Sequence, residues 1–425
     1  MSMAHADLRI DVRWLAPMTA RGVVLEHHSM VVRDGRILDI LPSSTAAERY
    51  SAVAVLQRAS HLLMPGMINT HSDAAGLLFR GVRDGAADER FATAEFTRDG
   101  LMAAIAEMLK SGVTTFYDDH FFPEETARTV AEQGMRAVLG MPISETATPW
   151  ARNASQSMTR SLRFRDEFNG HPLISTAFAP QSGNSLSDAT FVHLATLADE
   201  LDAGISMELH QSMTEISQGL ALHGARPIER LWKLGLLTPA FNAVHMVHAA
   251  AADIEVAQRT GISISLCAQS DLQSGNGLPP IAAFAAAGIR LGLGTGSAAA
   301  MSQDLWGEMK LIALMSQASP NAAATAWDAL AFATRGGAGV MNLDGEVGTL
   351  EAGKWADLCC VDLSGPGIQP LRDPITQLVL SGGRDIVSDV WVAGRQLLSV
   401  GELTRLDWPE VAARSAGWAA RMGYS

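Results

Sequence analysis

Short apolar runs separated by turn residues fill the first sixty positions. Residues 8–12, 23–25, 29–32 and 36–40 have this texture, and Arg33-Asp34-Gly35 separates the last two. Runs of this length bounded by turn signals predict β-strands. From His61 onward the period lengthens. Apolar runs at 62–68, 114–117, 137–141, 173–179, 205–209, 243–245, 262–267 and 289–294 alternate with Ala-rich stretches of helical spacing, such as 99–111, 123–133, 159–169, 188–201 and 251–259. About eight strand–helix units predict an α/β chain folded as a (β/α)8 TIM barrel. After Val347-Gly348-Thr349 short strands return, at 358–362, 377–380 and 387–392. The β-rich ends are expected to pair with each other. The chain thus divides into residues 1–63, the first part of a small β-sandwich; 64–350, the barrel; and 351–425, the rest of the sandwich plus a C-terminal helix.

Composition narrows the partners. The 425 residues are 48% hydrophobic and 18% charged, with a net charge of −13. That suits a large buried core and argues against a nucleic-acid partner, which needs a basic face. A small neutral or cationic substrate is expected instead. Cys267, Cys359 and Cys360 are too few for a disulfide framework, and a reducing cytoplasm is the expected location. Residues 1–16 carry Asp7, Arg9, Asp11 and Arg13, so no export signal is expected. The stretch 281–294 is too short and too broken for a membrane span.

In a TIM barrel the chemistry sits where the strands end. The first apolar run ends in His71-Ser72-Asp73, placing His71 and Asp73 on one strand face. The second ends in Asp118-Asp119-His120, and Gln181 follows Ala179-Pro180. Glu208 and His210 alternate onto one face, with Gln211 next, and His245 closes Ala243-Val244. Carboxylates and imidazoles converging from several strands suit a metal or acid–base site.

The motifs around these residues resemble the amidohydrolase superfamily, in the branch of S-adenosylhomocysteine/methylthioadenosine deaminases and s-triazine chlorohydrolases. The similar stretches are Leu63-Met64-Pro65-Gly66-Met67-Ile68-Asn69-Thr70-His71, Leu78-Phe79-Arg80-Gly81, 172–180, Arg226-Pro227, Ala243-Val244-His245, Gly292-Leu293-Gly294-Thr295 and Gly353-Lys354-Trp355-Ala356-Asp357-Leu358. The resemblance implies a barrel hydrolase acting on a nitrogen heterocycle or nucleoside-like molecule, and a homodimer or homotetramer. It also implies that this site has changed. The family's first-strand His-x-His is His71-Ser72-Asp73 here. Its fifth-strand ligand His and catalytic Glu are Glu208 and Gln211. Its sixth-strand His is kept as His245, and its eighth-strand Asp is Gly296. Its substrate-contacting His after Ala-Pro is Gln181, and the Asn of its Cys-Pro-x-Ser-Asn motif is Asp271.

Asp73, Glu208, His245 and His71 are therefore the candidate catalytic residues. Gln181, His210, Gln211, Asp118, Asp119, His120 and Asp271 are the candidate substrate contacts, with strand-end loops at 84–96 and 145–157 around them. The standard zinc deaminase mechanism is not expected, because Gly296 has no side chain and Gln211 cannot ionise. The first expectation is that no cofactor is needed. The other is a rebuilt centre of His71, Asp73, Glu208 and His245 holding Zn²⁺, Mn²⁺ or Fe²⁺. Two further readings stay open: a metal-free lyase or isomerase acting on a sulfonium or amidinium cation, and a non-catalytic binding or partner subunit of an active paralogue.

Overall fold

A computed structural model describes residues 3–81, 89–296, 302–317 and 324–423. The N-terminal part of the 84–96 loop lies outside the described residues. The chain opens with β1 (Ala4–Leu15), β2 (Leu25–Arg33), β3 (Arg36–Pro42) and β4 (Tyr50–Pro65). The β2–β3 turn is Asp34-Gly35, both at positive φ (53° and 75°). This is the two-residue hairpin geometry that an Asp-Gly pair favours. The barrel strands are β5 (Met67–Ser72), β6 (Val113–Asp118), β7 (Arg136–Ile143), β8 (Ile174–Pro180), β9 (Gly204–Leu209), β10 (Phe241–His245), β11 (Ser263–Leu266) and β12 (Arg290–Leu293). They are paired in parallel and close in the order β10-β11-β12-β5-β6-β7-β8-β9. The chain then returns to the first sheet through β13 (Leu358–Asp362), β14 (Val387–Val392), β15 (Arg395–Ser399) and β16 (Glu402–Leu403). The resulting eight-stranded sheet has the order β16-β15-β14-β13-β4-β1-β2-β3, so the two chain ends do pair.

Two local expectations are corrected. The run 62–68 is not one strand but the joint between β4 and β5, and Gly66 is the hinge. A Cβ there would stand 2.1 Å from the Thr114 side chain, and its N–H donates to the Asp357 carbonyl at 2.9 Å. Only glycine lets the chain pass so close to β6. The segment 377–380 is not a strand but part of a helix, Pro374–Ser381. Asp373 caps it, accepting from the N–H groups of Ile375 and Thr376, and Pro374 occupies its first turn. These local start signals outweigh the β-like Leu378-Val379-Leu380 run.

The sheet is fastened to the barrel by a buried ion pair. Arg136, at the start of β7, donates to Asp357 through Nε (2.7 Å) and Nη2 (3.1 Å). Asp357 Oδ1 also accepts from the Ala393 N–H at 2.7 Å, and Arg136 Nη1 holds the Pro172 carbonyl at 2.8 Å. A C-terminal helix, Trp408–Arg421, lies across the helix Ala94–Lys110, with Trp418 Nε1 donating to Asp99 at 3.0 Å. Among the described residues no helix is long and apolar enough to cross a membrane. Cys267, Cys359 and Cys360 are free and buried.

Candidate metal centre at the barrel mouth

Three of the expected residues meet at the C-terminal mouth. His71 Nε2 lies 3.7 Å from Glu208 Oε1, and His245 Nε2 lies 3.6 Å from the same oxygen. Each offers one ligand atom, and the three atoms lie within 4.8 Å of one another. His71 comes from β5, Glu208 from β9 and His245 from the last position of β10. His245 has φ = +75° and the next residue, Met246, φ = +53°. Such values are rare outside glycine. Neighbouring backbone holds them here: the Met246 N–H donates to the Leu209 carbonyl at 3.0 Å, and the His248 N–H to the His210 carbonyl at 3.0 Å.

A carboxylate stands behind each imidazole. Asp271 Oδ1 is 2.8 Å from His245 Nδ1, and Asp119 Oδ2 is 4.0 Å from His71 Nδ1. His71 also stacks on Tyr117, with ring centroids 5.9 Å apart. Charge follows this geometry. Burial opposes a proton on His245, but Asp271 and Glu208 outweigh it and push the imidazole up to about 10. Burial likewise opposes protonation of His71, and Asp119 with Glu208 raise it nonetheless. Burial acts to raise Glu208, yet His245 and His71 hold its carboxyl well below the usual range. Burial pushes Asp119 up to about 6 against the pull of His71. The carboxylates thus favour positive charge on the two imidazoles.

The donor set fits a divalent ion. Two imidazoles and one carboxylate facing each other are a known catalytic zinc set and also suit Fe²⁺ or Mn²⁺. Carboxylates on the outer imidazole nitrogens are the usual support for such ligands. Asp73, expected in this group, is not part of it. Its Oδ1 accepts from the Gly76 N–H at 3.1 Å and lies 3.7 Å from His120 Nε2. The chain bulges between Asn69 and Ser72, so simple alternation does not carry Asp73 alongside His71.

The remaining candidates separate. Gln211 reaches the centre, its Nε2 3.1 Å from His245 Nε2, while its backbone N–H donates to Glu215 at 2.9 Å. Gln181 is exposed just beyond β8. His120 stacks on Phe96 beside the mouth, with centroids 6.3 Å apart. Asp118 is buried, accepts from the Ala74 N–H at 2.8 Å, and is raised by burial to about 7. His210 does not share the Glu208 face. Its φ of +52° ends the alternation, and the ring turns outward to Asp253 (3.4 Å) and the Ile228 N–H (3.3 Å). Asp271 is fully buried behind His245, out of reach of a substrate. Gly296 closes the eighth strand, donating to the His71 carbonyl at 3.1 Å and accepting from the Asp73 N–H at 3.3 Å. Sequence reading missed Tyr117, beneath His71, and Glu308, a buried carboxyl pushed up to about 8 by burial. An aromatic inside a strand run and a Glu inside a helix look like ordinary packing and solvent positions.

Residues 62–397 match the Amidohydrolase family. The chain belongs to that family. It is an enzyme, a hydrolase. It is 36% identical to the 5-methylthioadenosine/S-adenosylhomocysteine deaminase of Teredinibacter turnerae, over 98% of each chain. It is 33% identical to the protein of the same name from Saccharophagus degradans, over 98% of this chain and 97% of the relative. A zinc-bound adenosine deaminase from Xanthomonas campestris superposes with a TM-score of 0.95 at 33% identity, covering 99% of each chain. A triazine hydrolase variant shares the fold, with a TM-score of 0.90 at 21% identity over 97% of this chain and 99% of that one.

Proposed function

We propose that this amidohydrolase is a metal-dependent hydrolase of a nitrogen heterocycle or nucleoside-like small molecule, with its ion held by His71, Glu208 and His245. The observation that carries the reading is the convergence of those three ligand atoms on one point of the mouth, with a carboxylate behind each imidazole. The relatives named for deamination of nucleosides and the zinc-bound neighbour support it. A divalent ion there supplies Lewis acidity and lowers the pKa of a bound water. Glu208 brings the negative charge to the ligand set. Gln211, beside His245 Nε2, offers a neutral amide to the reacting group. Asp73 and His120 form a half-buried carboxylate–imidazole pair at the mouth and carry the proton that neither Gln211 nor Gly296 can carry. Gln181, exposed beyond β8, hydrogen-bonds the heterocycle. A homo-oligomer in the cytoplasm is the expected working form.

The test pairs metal analysis of protein purified without chelator with a hydrolysis panel of 5-methylthioadenosine, S-adenosylhomocysteine, adenosine and chloro-s-triazines. Near-stoichiometric metal and metal-dependent release of ammonia or chloride are expected. No metal uptake from Zn²⁺, Mn²⁺ or Fe²⁺, together with no turnover, would sink the reading. One observation favours a second reading, a metal-free acid–base enzyme acting on a cationic substrate. His245, raised to about 10, already places a positive charge beside Glu208. Turnover that survives exhaustive chelation would favour it.

A further inference from the structure

Asp271 sits in the short helix Ala268–Gln273 that follows β11, with no exposed surface. Its Oδ1 lies 2.8 Å from His245 Nδ1, and His245 is itself 1% exposed. Neither carboxylate oxygen has an aligned hydrogen-bond partner among the described residues, and neither does His245 Nδ1, so the 2.8 Å approach is a close charge contact. Leaving a buried carboxylate alone is costly, so its charge needs a counterpart in contact. Its one ion-pair partner among the described residues is His245. The nearby carboxyl of Glu308 offers no compensation.

We infer that Asp271 is the positioning residue of the metal centre: it holds His245 through Nδ1 and thereby presents Nε2 to the ion. This rests on the metal-dependent reading above. An imidazole has two nitrogens, and the one that keeps its proton is fixed by the partner it donates to. A carboxylate at Nδ1 keeps the proton there, leaves the Nε2 lone pair free, and raises the basicity of that ligand. The αL backbone at His245 aims the ring, and Asp271 stops it turning. Gln211, 3.1 Å from Nε2, would have to swing aside for an ion to be held at this nitrogen, which a side-chain amide can do at little cost. Gly296 helps to seat the pair, because its missing side chain leaves the space that Ser270, next to Asp271, occupies.

His210 supplies an internal control. It too faces a carboxylate, Asp253, at 3.4 Å, but it points away from the centre. The experiment is Zn²⁺ and Mn²⁺ affinity by chelator competition on the full chain, for wild type, Asp271→Ala, Asp271→Asn and Asp253→Asn. Imidazole ¹⁵N shifts are recorded for the Zn²⁺-loaded protein. Asp271→Ala should weaken affinity about 10- to 100-fold. Asp271→Asn, which keeps an acceptor but not the charge, should fall between Asp271→Ala and wild type. Asp253→Asn should bind as wild type does, even if it melts earlier. In loaded wild type the His245 proton should sit on Nδ1. If Asp271→Ala folds poorly, Asp271→Asn alone must still show the loss. Wild-type affinity in both Asp271 variants would overturn the inference and leave the metal reading standing. Equal weakening by Asp253→Asn would overturn it as general loosening. No affinity in wild type would overturn both.

Discussion

A Cβ on Gly296 would stand 2.7 Å from both Cβ and Oγ of Ser270. Gly296 also has φ = +67°, a conformation that side chains other than glycine's rarely adopt. A side chain at this position would therefore find no room, because Ser270 of the helix after β11 fills the space. Gly296→Asp should not rebuild a four-ligand centre. It should cost roughly 1–3 kcal/mol through crowding and backbone strain. Thermal melting and chelator competition check this together. A lower melting temperature with no gain in metal affinity is expected, and tighter binding at unchanged stability would show that Ser270 gives way.

Glu208 is the one anionic member of the converging trio, and both imidazoles face it. Glu208→Gln removes the charge and keeps the shape. Metal affinity should fall by about 100-fold or more, beyond the 10- to 100-fold typical of losing a supporting group. Metal-dependent turnover should fall with it. The measurement is Kd by competition beside initial rates at saturating Zn²⁺. An unchanged Kd would remove Glu208 from the ligand set.

Alternation along the strands was enough to place His71, Glu208 and His245 at strand ends. Eight apolar runs with helical spacers, and β-rich ends, were enough to read the barrel and its companion sheet. What stayed hidden was set by backbone twists invisible in residue order. A positive φ at His210 sends its ring out to Asp253, although period two would put it beside Glu208. A bulge after Asn69 takes Asp73 out of the ligand group in the same way. The pairing of Asp271 with His245 joins residues 26 positions apart through the β10–β11 crossover, and no local pattern announces it.

Asp73 stands apart from the ligand trio and beside His120, so the two roles expected of it come apart. Asp73→Asn should leave Zn²⁺ affinity within about twofold. It should lower kcat by about 10²- to 10⁴-fold, the span of a lost general acid or base. His120→Gln should act in the same direction. A large loss of metal affinity in Asp73→Asn would return Asp73 to the ligand set.

Glu308 gives a pH signature. Its carboxyl is 1% exposed, with Oε1 accepting from the Gln269 N–H at 3.1 Å and Oε2 unpartnered among the described residues. Burial pushes it up to about 8. The unfolded chain releases this proton near the ordinary Glu value of about 4.3. Between those two values the folded state holds the extra proton, so stability falls as pH rises, and the penalty is complete above the folded value. Glu308→Gln keeps the acceptor for Gln269 and removes the charge. Its melting temperature should match wild type near pH 4.5 and exceed it by roughly a few °C at pH 8–9. Equal melting temperatures across that window would mean that Glu308 ionises in the folded state without cost.

Arg136 and Asp357 are 5% and 2% exposed at their side chains and join the barrel to the sheet through two parallel N–H···O bonds. Such a pair is a poor guide to net stability, because desolvation offsets much of the attraction. Breaking one side is different, because it strands a buried charge. Arg136→Met should cost about 3–5 kcal/mol, since Asp357 would keep only the Ala393 N–H. Asp357→Asn should cost less, because an amide oxygen still accepts from Ala393 and Arg136 still holds the Pro172 carbonyl. The double variant Arg136→Met/Asp357→Asn strands no charge and should be more stable than Arg136→Met alone. Denaturant unfolding of the four proteins gives the coupling energy directly. Additive losses, with the double variant the least stable, would show that the two residues do not act as a pair and that the sheet is held to the barrel by apolar packing instead.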